Sequence, residues 1–463
     1  MCRVLFVNVF ERCSEVFVNF NKQDLPITQL KSPQLLVFIN PLLKFYDPVF
    51  LCFSGFDIIH CLVNVLFTYG VMLFVGPTRT SVALVFISTM VYLLYGYVLN
   101  TTTDGYDFTF TMPLCVLVLR LIGLVFNYYD GNRQDQEKLS NDMKEVAIKR
   151  MPTILEVLGF SFFPSSFMIG PQFPITRYLD LIAGKFNNVE NKVNKNLEAL
   201  AGVFYLGVYH IGSSIITDDF MISDELDTYP FWRKCFYLGI WGRLVFYKYI
   251  CIWLLGEGAC ILFGLGYNGT DKEGNLKFDK IANIRIRVLE NARSHIHYVE
   301  SFNINTNQWV LVYIYKRLRF FGNKYVSQAA VLLFLSVWHG IHSGYYTTFF
   351  MEFVIVAFEK DSAKIHTDIR LFELWPIFSM QDKLIFFNFS PSEQCVFFSV
   401  SGLQEVLMIN GRIYAKRRYV EVERWGVLFS GRAMRMNGEY KAPVTSAAMK
   451  KRRHDRGIAV VDH

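Results

Sequence analysis

Charge is scarce in this sequence. Only 19% of its 463 residues are Asp, Glu, Lys or Arg, against 52% hydrophobic and 16% aromatic. A soluble domain carries roughly a quarter charged residues, so the shortage excludes an ordinary water-soluble globule and points to lipid. Histidine is also short. Nine imidazoles, most of them isolated, are too few for the histidine boxes with which membrane di-iron enzymes build their metal centre. The nine cysteines are dispersed, and Cys61, Cys115, Cys251 and Cys260 fall inside apolar runs. They read as buried free thiols, not as a disulfide or zinc framework. No internal repeat or low-complexity tract is visible, so a transporter built from repeated halves, which would use buried ionisable residues as a path, lacks its signature. The opening "MCRVLFVNVFERCSEVF" scatters charge through its one apolar stretch and has no small-residue cleavage site. No cleavable leader is expected from it.

Long apolar runs are present instead. Ser81 to Leu99 carries no charge, and Val49 to Gly76, Thr109 to Tyr129, Leu200 to Ile216 and Ile250 to Gly266 are interrupted only by single ionisable residues such as Asp57, Arg120 and Glu257. Each approaches the roughly 20 apolar residues that a helix needs to cross a bilayer. Val326 to Phe358 is too long for one simple crossing and contains Glu352; it predicts one long tilted helix or two segments. Polar loops are expected at Asp130 to Arg150, Asn187 to Asn196, Asp218 to Tyr229 and Tyr267 to Glu300. The fold class that follows is an all-α polytopic membrane protein. It divides into an N-terminal extension (1–48), a membrane core (49–371) and a C-terminal tail (372–463). The net charge of +7 resides in that tail, where Gly411 to His463 holds 13 Lys/Arg against 5 Asp/Glu. Such a tail suits a cytosolic membrane face bearing anionic lipid, or a solvated end.

Ionisable groups at bilayer depth are costly unless they face protein or water. Arg120, Glu156, His210, Arg243, Lys248, Glu257, His339, His342 and Glu352 all stand in or beside apolar runs. Any one of them alone reads as a paired or snorkelling residue that holds helices together. The stretch "LSVWHGIHSG", 335–344, is different because it sets two imidazoles three residues apart beside Trp338. A metal is not expected there, since no further ligands accompany the pair. The other use of a buried neutral imidazole is general-base catalysis. A base needs a second polar group, and upstream "SFNINTNQW", 301–309, concentrates three asparagines. An asparagine amide orients a hydroxyl or donates to a developing oxyanion; turn or cap residues are the plainer reading.

"SFNINTNQWVLVYIYKRLRFFGNK" followed by "LLFLSVWHGIHSGYYTTFFMEF" resembles the active-site region of the membrane-bound O-acyltransferases, most closely the lysophosphatidylcholine acyltransferase branch. The asparagine and Trp-His-Gly motifs lie 36 residues apart, Asn303 to His339. "TMPLCVLVLRLIGLVFNYYDG", "MIGPQFPITRY", "YPFWRKCFYLGIWGRLVFYKY" and "GEGACILFGLGYNG" resemble segments of the same branch in the same order. The resemblance runs from about Val49 to about Ile369. It implies a multi-helix core enclosing a buried catalytic chamber, with His339 as catalytic base and Asn303 as its partner. His339 would take the proton from a lysophospholipid hydroxyl as that hydroxyl attacks the thioester of acyl-CoA, a co-substrate; no cofactor is implied.

Lys316, Arg317, Arg319 and Lys324 would then face the CoA phosphates, although basic residues at a membrane boundary are also ordinary positive-inside anchors. Trp338 and Tyr315 would line the chamber, and His342 would support His339. "GPQFP" would be non-helical backbone, tolerated only where buried in protein or lining a cavity. The resemblance further implies a multi-pass protein of the endoplasmic reticulum membrane that remodels phospholipids with polyunsaturated acyl groups. Choline, ethanolamine or serine head groups are the expected acceptors. Nucleic acid is not an expected partner, and a homodimer is left open. The competing readings are a family member acylating a sterol, a diacylglycerol or a protein, and an inactive truncated scaffold. Whether the sequons at Asn100, Asn268 and Asn388 are used is also open.

Overall fold

The computed structural model describes residues 57–101, 110–186, 197–221, 223–292 and 294–368, with 385–386 and 397–398. The N-terminal extension (1–48), the basic tail, the polar loop at 187–196 and the Asn388 sequon lie outside the described residues. The described chain is helical. The exceptions are isolated bridges and a two-residue antiparallel pair, Ile385–Phe386 with Phe397–Phe398.

The first three helices are α1 (Asp57–Phe74), α2 (Arg79–Thr101) and α3 (Thr111–Asn132). On α2 the apolar residues Leu84, Ile87, Val91, Tyr95 and Val98 all point outward. A helical stripe of exposed apolar side chains is the inverse of a water-soluble helix and suits lipid. The next helix inward, α3, is mostly apolar around its circumference, and 15 of its 22 residues are buried, Arg120, Asn127 and Asp130 among them. It is the centre of the packing, as expected of a helix with no solvent-facing polar stripe.

Short helices α4 (Asn141–Val146), α5 (Ile154–Ser161) and α6 (Ile175–Ile182) follow. Thr153 starts α5 with a capping box, its hydroxyl accepting from the Glu156 amide while the Glu156 carboxylate accepts from the Thr153 amide. Between α5 and α6 the "GPQFP" backbone is non-helical, and Gly170 to Phe173 are buried. Arg120 of α3 explains how this irregular stretch is tolerated. It donates to the carbonyls of Phe160 (3.0 Å), Ser161 (3.2 Å) and Ser166 (2.9 Å), to Ser166 Oγ (2.6 Å) and to Gln172 Oε1 (3.4 Å). The one charge in that apolar run is thus a buried clamp on loop carbonyls.

Next come α7 (Leu197–Ile215) and the 33-residue α8 (Phe231–Phe263), with two short helical turns in the loop between them. They lie closely side by side: a Cβ at Gly212 would come within 2.2 Å of Leu244, and one at Gly202 within 3.1 Å of the Leu255 backbone. Small residues allow such an approach. The crossing expected over Ile250 to Gly266 therefore begins 19 residues earlier. The intervening charges are accommodated, with Arg243 paired to Glu290, Arg233 over the Tyr229 ring and Lys248 over Tyr249. By length and composition Arg79–Leu99, Thr111–Asn132 and Phe231–Phe263 are long enough to span, and Ile58–Phe74 is a shorter apolar helix.

The chain then runs through α9 (Ile286–Glu290), α10 (His295–Ser301) and α11 (Ile304–Val310) into a π turn (Leu311–Tyr315) and a 3-10 stretch (Lys316–Phe321). The long run after Val326 is two helices, α12 (Lys324–His339) and α13 (Ser343–Asp368). The break falls at Gly340, at φ 140° and ψ −171°, a conformation essentially reserved for glycine.

Candidate active site

Both sequence motifs are attached to α3. Trp309 donates its indole N–H to the Leu119 carbonyl (2.9 Å), the Tyr313 hydroxyl donates to Asn127 Oδ1 (2.7 Å), and Arg317 forks onto Asp130 (2.9 and 2.5 Å). Residues 309, 313 and 317 thus meet successively later positions of α3, and the segment runs parallel to it. From the other motif Trp338 donates to the Cys115 carbonyl (2.9 Å). Cys115 and Leu119 are one turn apart, about 6 Å along the axis. Trp309 also stacks on Phe334 of α12 with ring centroids 5.6 Å apart. The end of the asparagine motif and the end of the histidine helix are therefore anchored on neighbouring turns in the first half of α3.

The three asparagines are not equivalent. Asn305 is consumed structurally, its amide nitrogen donating to Ile281 O (2.9 Å) and Asn283 Oδ1 (3.1 Å). Asn307 is likewise occupied, donating to Val299 O (2.8 Å) and Phe302 O (3.1 Å). Asn303 sits in the left-handed region, φ 52° and ψ 43°, the one positive-φ residue other than glycine among the described residues. Its side-chain amide does not cap the helix that it precedes. Left-handed backbone costs an L-residue about 1–2 kcal/mol, least for Asn and Gly. Such strain persists only where the surroundings enforce it, and it concentrates at functional positions.

His339 is the last residue of α12, half-buried against an aromatic wall. Its ring lies 4.6 Å from Trp338, 5.5 Å from Tyr345 and 5.4 Å from Phe349, centroid to centroid. Tyr97 of α2 donates to the Trp338 carbonyl (2.9 Å) and fixes the end of the helix. A Cβ on Gly340 would meet the Tyr345 ring at 3.2 Å, so the Trp-His-Gly glycine serves both the backbone break and the closeness of that ring. His342, past the break, is exposed, with its ring 6.4 Å from Tyr345.

The basic residues divide. Lys316 pairs with Asp142 of α4, and Arg317 pairs with Asp130 while lying over the Phe126 ring at 4.2 Å. Arg319 and Lys324 are exposed, and Tyr315 is half-buried at the end of the π turn. Among the described residues no group of three or more His, Cys, Asp or Glu could hold a metal ion. Asp130 is fully buried, which sets a stability expectation. Replacing Arg317 with Met leaves a buried, unpaired carboxylate, and such losses cost about 3–5 kcal/mol. A large drop in thermal midpoint of the detergent-solubilised protein should result, and an unchanged midpoint would show that the pair is dispensable.

Residues 94–375 match the family model for the membrane-bound O-acyltransferase family. The chain belongs to that family. Its relatives include human lysophospholipid acyltransferase 5, 43% identical over 316 residues (67% of this chain and 64% of that protein). The Drosophila melanogaster protein of the same name is 43% identical over 337 residues (72% and 67%), and a Saccharomyces cerevisiae lysophospholipid acyltransferase is 30% identical over 281 residues (54% and 44%). This chain spans about two thirds of the length of its animal relatives.

Sequence reasoning missed the groups beneath the asparagine motif. Asn283 accepts from the Asn305 backbone N–H at its side-chain oxygen (3.0 Å) and from the Ile304 backbone N–H at its carbonyl (3.1 Å), while its own backbone N–H donates to the Glu257 carboxylate (3.0 Å). Glu257 was legible as an acid in an apolar run, but Asn283 carried no signal. The chain also buries His295, with both ring nitrogens unpartnered among the described residues. Burial pushes this imidazole down to about 4, so it is neutral near pH 7.

Proposed function

We propose that this chain is a lysophospholipid acyltransferase. It moves an unsaturated acyl group from acyl-CoA to the free hydroxyl of lysophosphatidylcholine, and also of the ethanolamine and serine lysolipids, in phospholipid remodelling at the endoplasmic reticulum membrane. The observation that carries this reading is the pairing of two motifs on adjacent turns of α3. In it Asn305 and Asn307 are spent on backbone carbonyls, while the strained Asn303 does not cap its own helix. The relatives' names supply the acceptor class.

In the proposed reaction a His339 ring nitrogen takes the hydroxyl proton as the lysolipid oxygen attacks the thioester carbonyl. The Asn303 amide donates to the oxyanion of the tetrahedral intermediate, where a fixed donor is most effective. Collapse breaks the C–S bond, and the imidazolium returns its proton to the CoA sulfur. No covalent acyl-enzyme is needed. Arg319 and Lys324 meet the CoA phosphates, Lys316 joins them by exchanging Asp142 for phosphate, and Arg317 holds the segment against α3. Trp338 and Tyr315 line the reaction chamber, and His342 supports the histidine loop.

The test is expression in cells without background activity, followed by an assay of microsomes with lysophosphatidylcholine and arachidonoyl-CoA. Phosphatidylcholine formation is the expected result. Acylation of a sterol, a diacylglycerol or a protein in its place would keep the chemistry and change the acceptor. No transfer to any lysolipid would remove this reading.

A further inference from the structure

Asn303 is held in its strained conformation by a clamp on both sides. Before it, Arg285 N donates to Ser301 O (2.9 Å), and Ile284 and Phe302 form an antiparallel bridge. After it, Ile304 N donates to Asn283 O (3.1 Å) and Asn305 N to Asn283 Oδ1 (3.0 Å). Between these paired residues Asn303 alone is left over, like the extra residue of a bulge. On the far side both backbone amides are held by Asn283, with the Asn305 side chain also reaching Ile281 O (2.9 Å); Asn283 is buried, and its backbone N–H donates to Glu257 Oε2 at 3.0 Å. Glu257 is itself buried in α8 and forms no ion pair among the described residues. An acid without a counter-charge in an apolar helix is expensive, and an apolar side chain of similar size would pack there at lower cost. It is explained if the oxygen is needed where it stands.

We propose that Glu257 is a positioning residue for acyl transfer: through the Asn283 amide it fixes the Ile304–Asn305 side of the clamp and so holds Asn303 in the left-handed conformation that presents its amide. Its effect is on the orientation of Asn303 and not on substrate contact. The catalytic part rests on the acyltransferase reading above, whereas the structural relay does not.

Two measurements test it on the full chain in detergent. In amide hydrogen exchange, Glu257→Ala removes the acceptor and should accelerate exchange at 283 and 304–305, while Glu257→Gln keeps an acceptor oxygen and should leave it near the parent rate. Unchanged exchange in Glu257→Ala overturns the relay, whether or not the chain transfers acyl groups. In the kinetic arm, Glu257→Ala should lower kcat about tenfold with KM for acyl-CoA within about twofold, the signature of a lost transition-state interaction. Glu257→Gln should recover most of the rate, and in an Asn303→Ala background Glu257→Ala should cost nothing more, since residues acting as a unit are non-additive. A loss that appears in KM, that Gln fails to rescue, or that multiplies with the loss from Asn303→Ala assigns Glu257 to general packing and overturns the positioning role. If the parent proves inactive while exchange accelerates as described, the relay stands and the acyltransferase reading falls.

Discussion

Replacement of His339 by Ala is expected to lower acyl transfer by about 10²- to 10⁴-fold, the range that a positioned general base contributes. The magnitude follows from what is left. Among the described residues the other imidazole that reaches the aromatic wall formed by Trp338, Tyr345 and Phe349 is His342, exposed and 6.4 Å from Tyr345, and an attacking hydroxyl that cannot give up its proton is a poor nucleophile. His342 is the control. It lies three residues away but is exposed past the Gly340 break, and surface substitutions usually have small effects. The His342→Ala variant should therefore stay much closer to the parent than His339→Ala. Both are measured as initial rates in microsomes normalised to protein level. The reverse order would put the base on the wrong imidazole.

The second large effect is at Asn303. Ala should lower kcat by about 10²- to 10³-fold, as loss of one oxyanion donor does elsewhere, with a smaller change in acyl-CoA binding. Ala changes two things, however, because it also disfavours φ 52° by about 1–2 kcal/mol. Asn303→Gly separates them, since glycine accepts the left-handed backbone without strain and lacks the amide. If the amide does the chemistry, Gly and Ala fall together. A Gly variant that keeps most of the parent kcat would mean that asparagine is present only for its backbone tolerance.

The legible features share a physical reason: local sequence determines them. The apolar runs gave helices close to their expected places, and the run from Val326 to Phe358 divides at a glycine that the sequence already displayed beside His339. What was not legible depends on partners distant in the chain. Lys316 and Arg317 read as a phosphate-facing patch, yet their acids lie 174 and 187 residues away. The start of α8 was hidden because Arg233, Arg243 and Lys248 look like a polar interruption until the rings and the carboxylate that receive them are in view. Asn303, Asn305 and Asn307 are identical letters at even spacing, and only the contacts with Ile281, Asn283 and Val299 distinguish two of them from the first.

The ion pairs of α4 also bear on sidedness. Asp142 takes Lys316 and Glu145 takes Lys280, so two acids three residues apart join the segment carrying Arg319 to the turn after α8. That turn holds the Asn268 sequon, whose side chain donates to Asp279 (2.7 Å), next to Lys280. Asn268 and the basic segment are thus tied to the same short helix. Sugar is added in the lumen and the CoA proposed to meet Arg319 is supplied from the cytosol, so if that helix holds both segments on one face, one chain in one orientation would not be glycosylated at Asn268 and also receive acyl-CoA at Arg319.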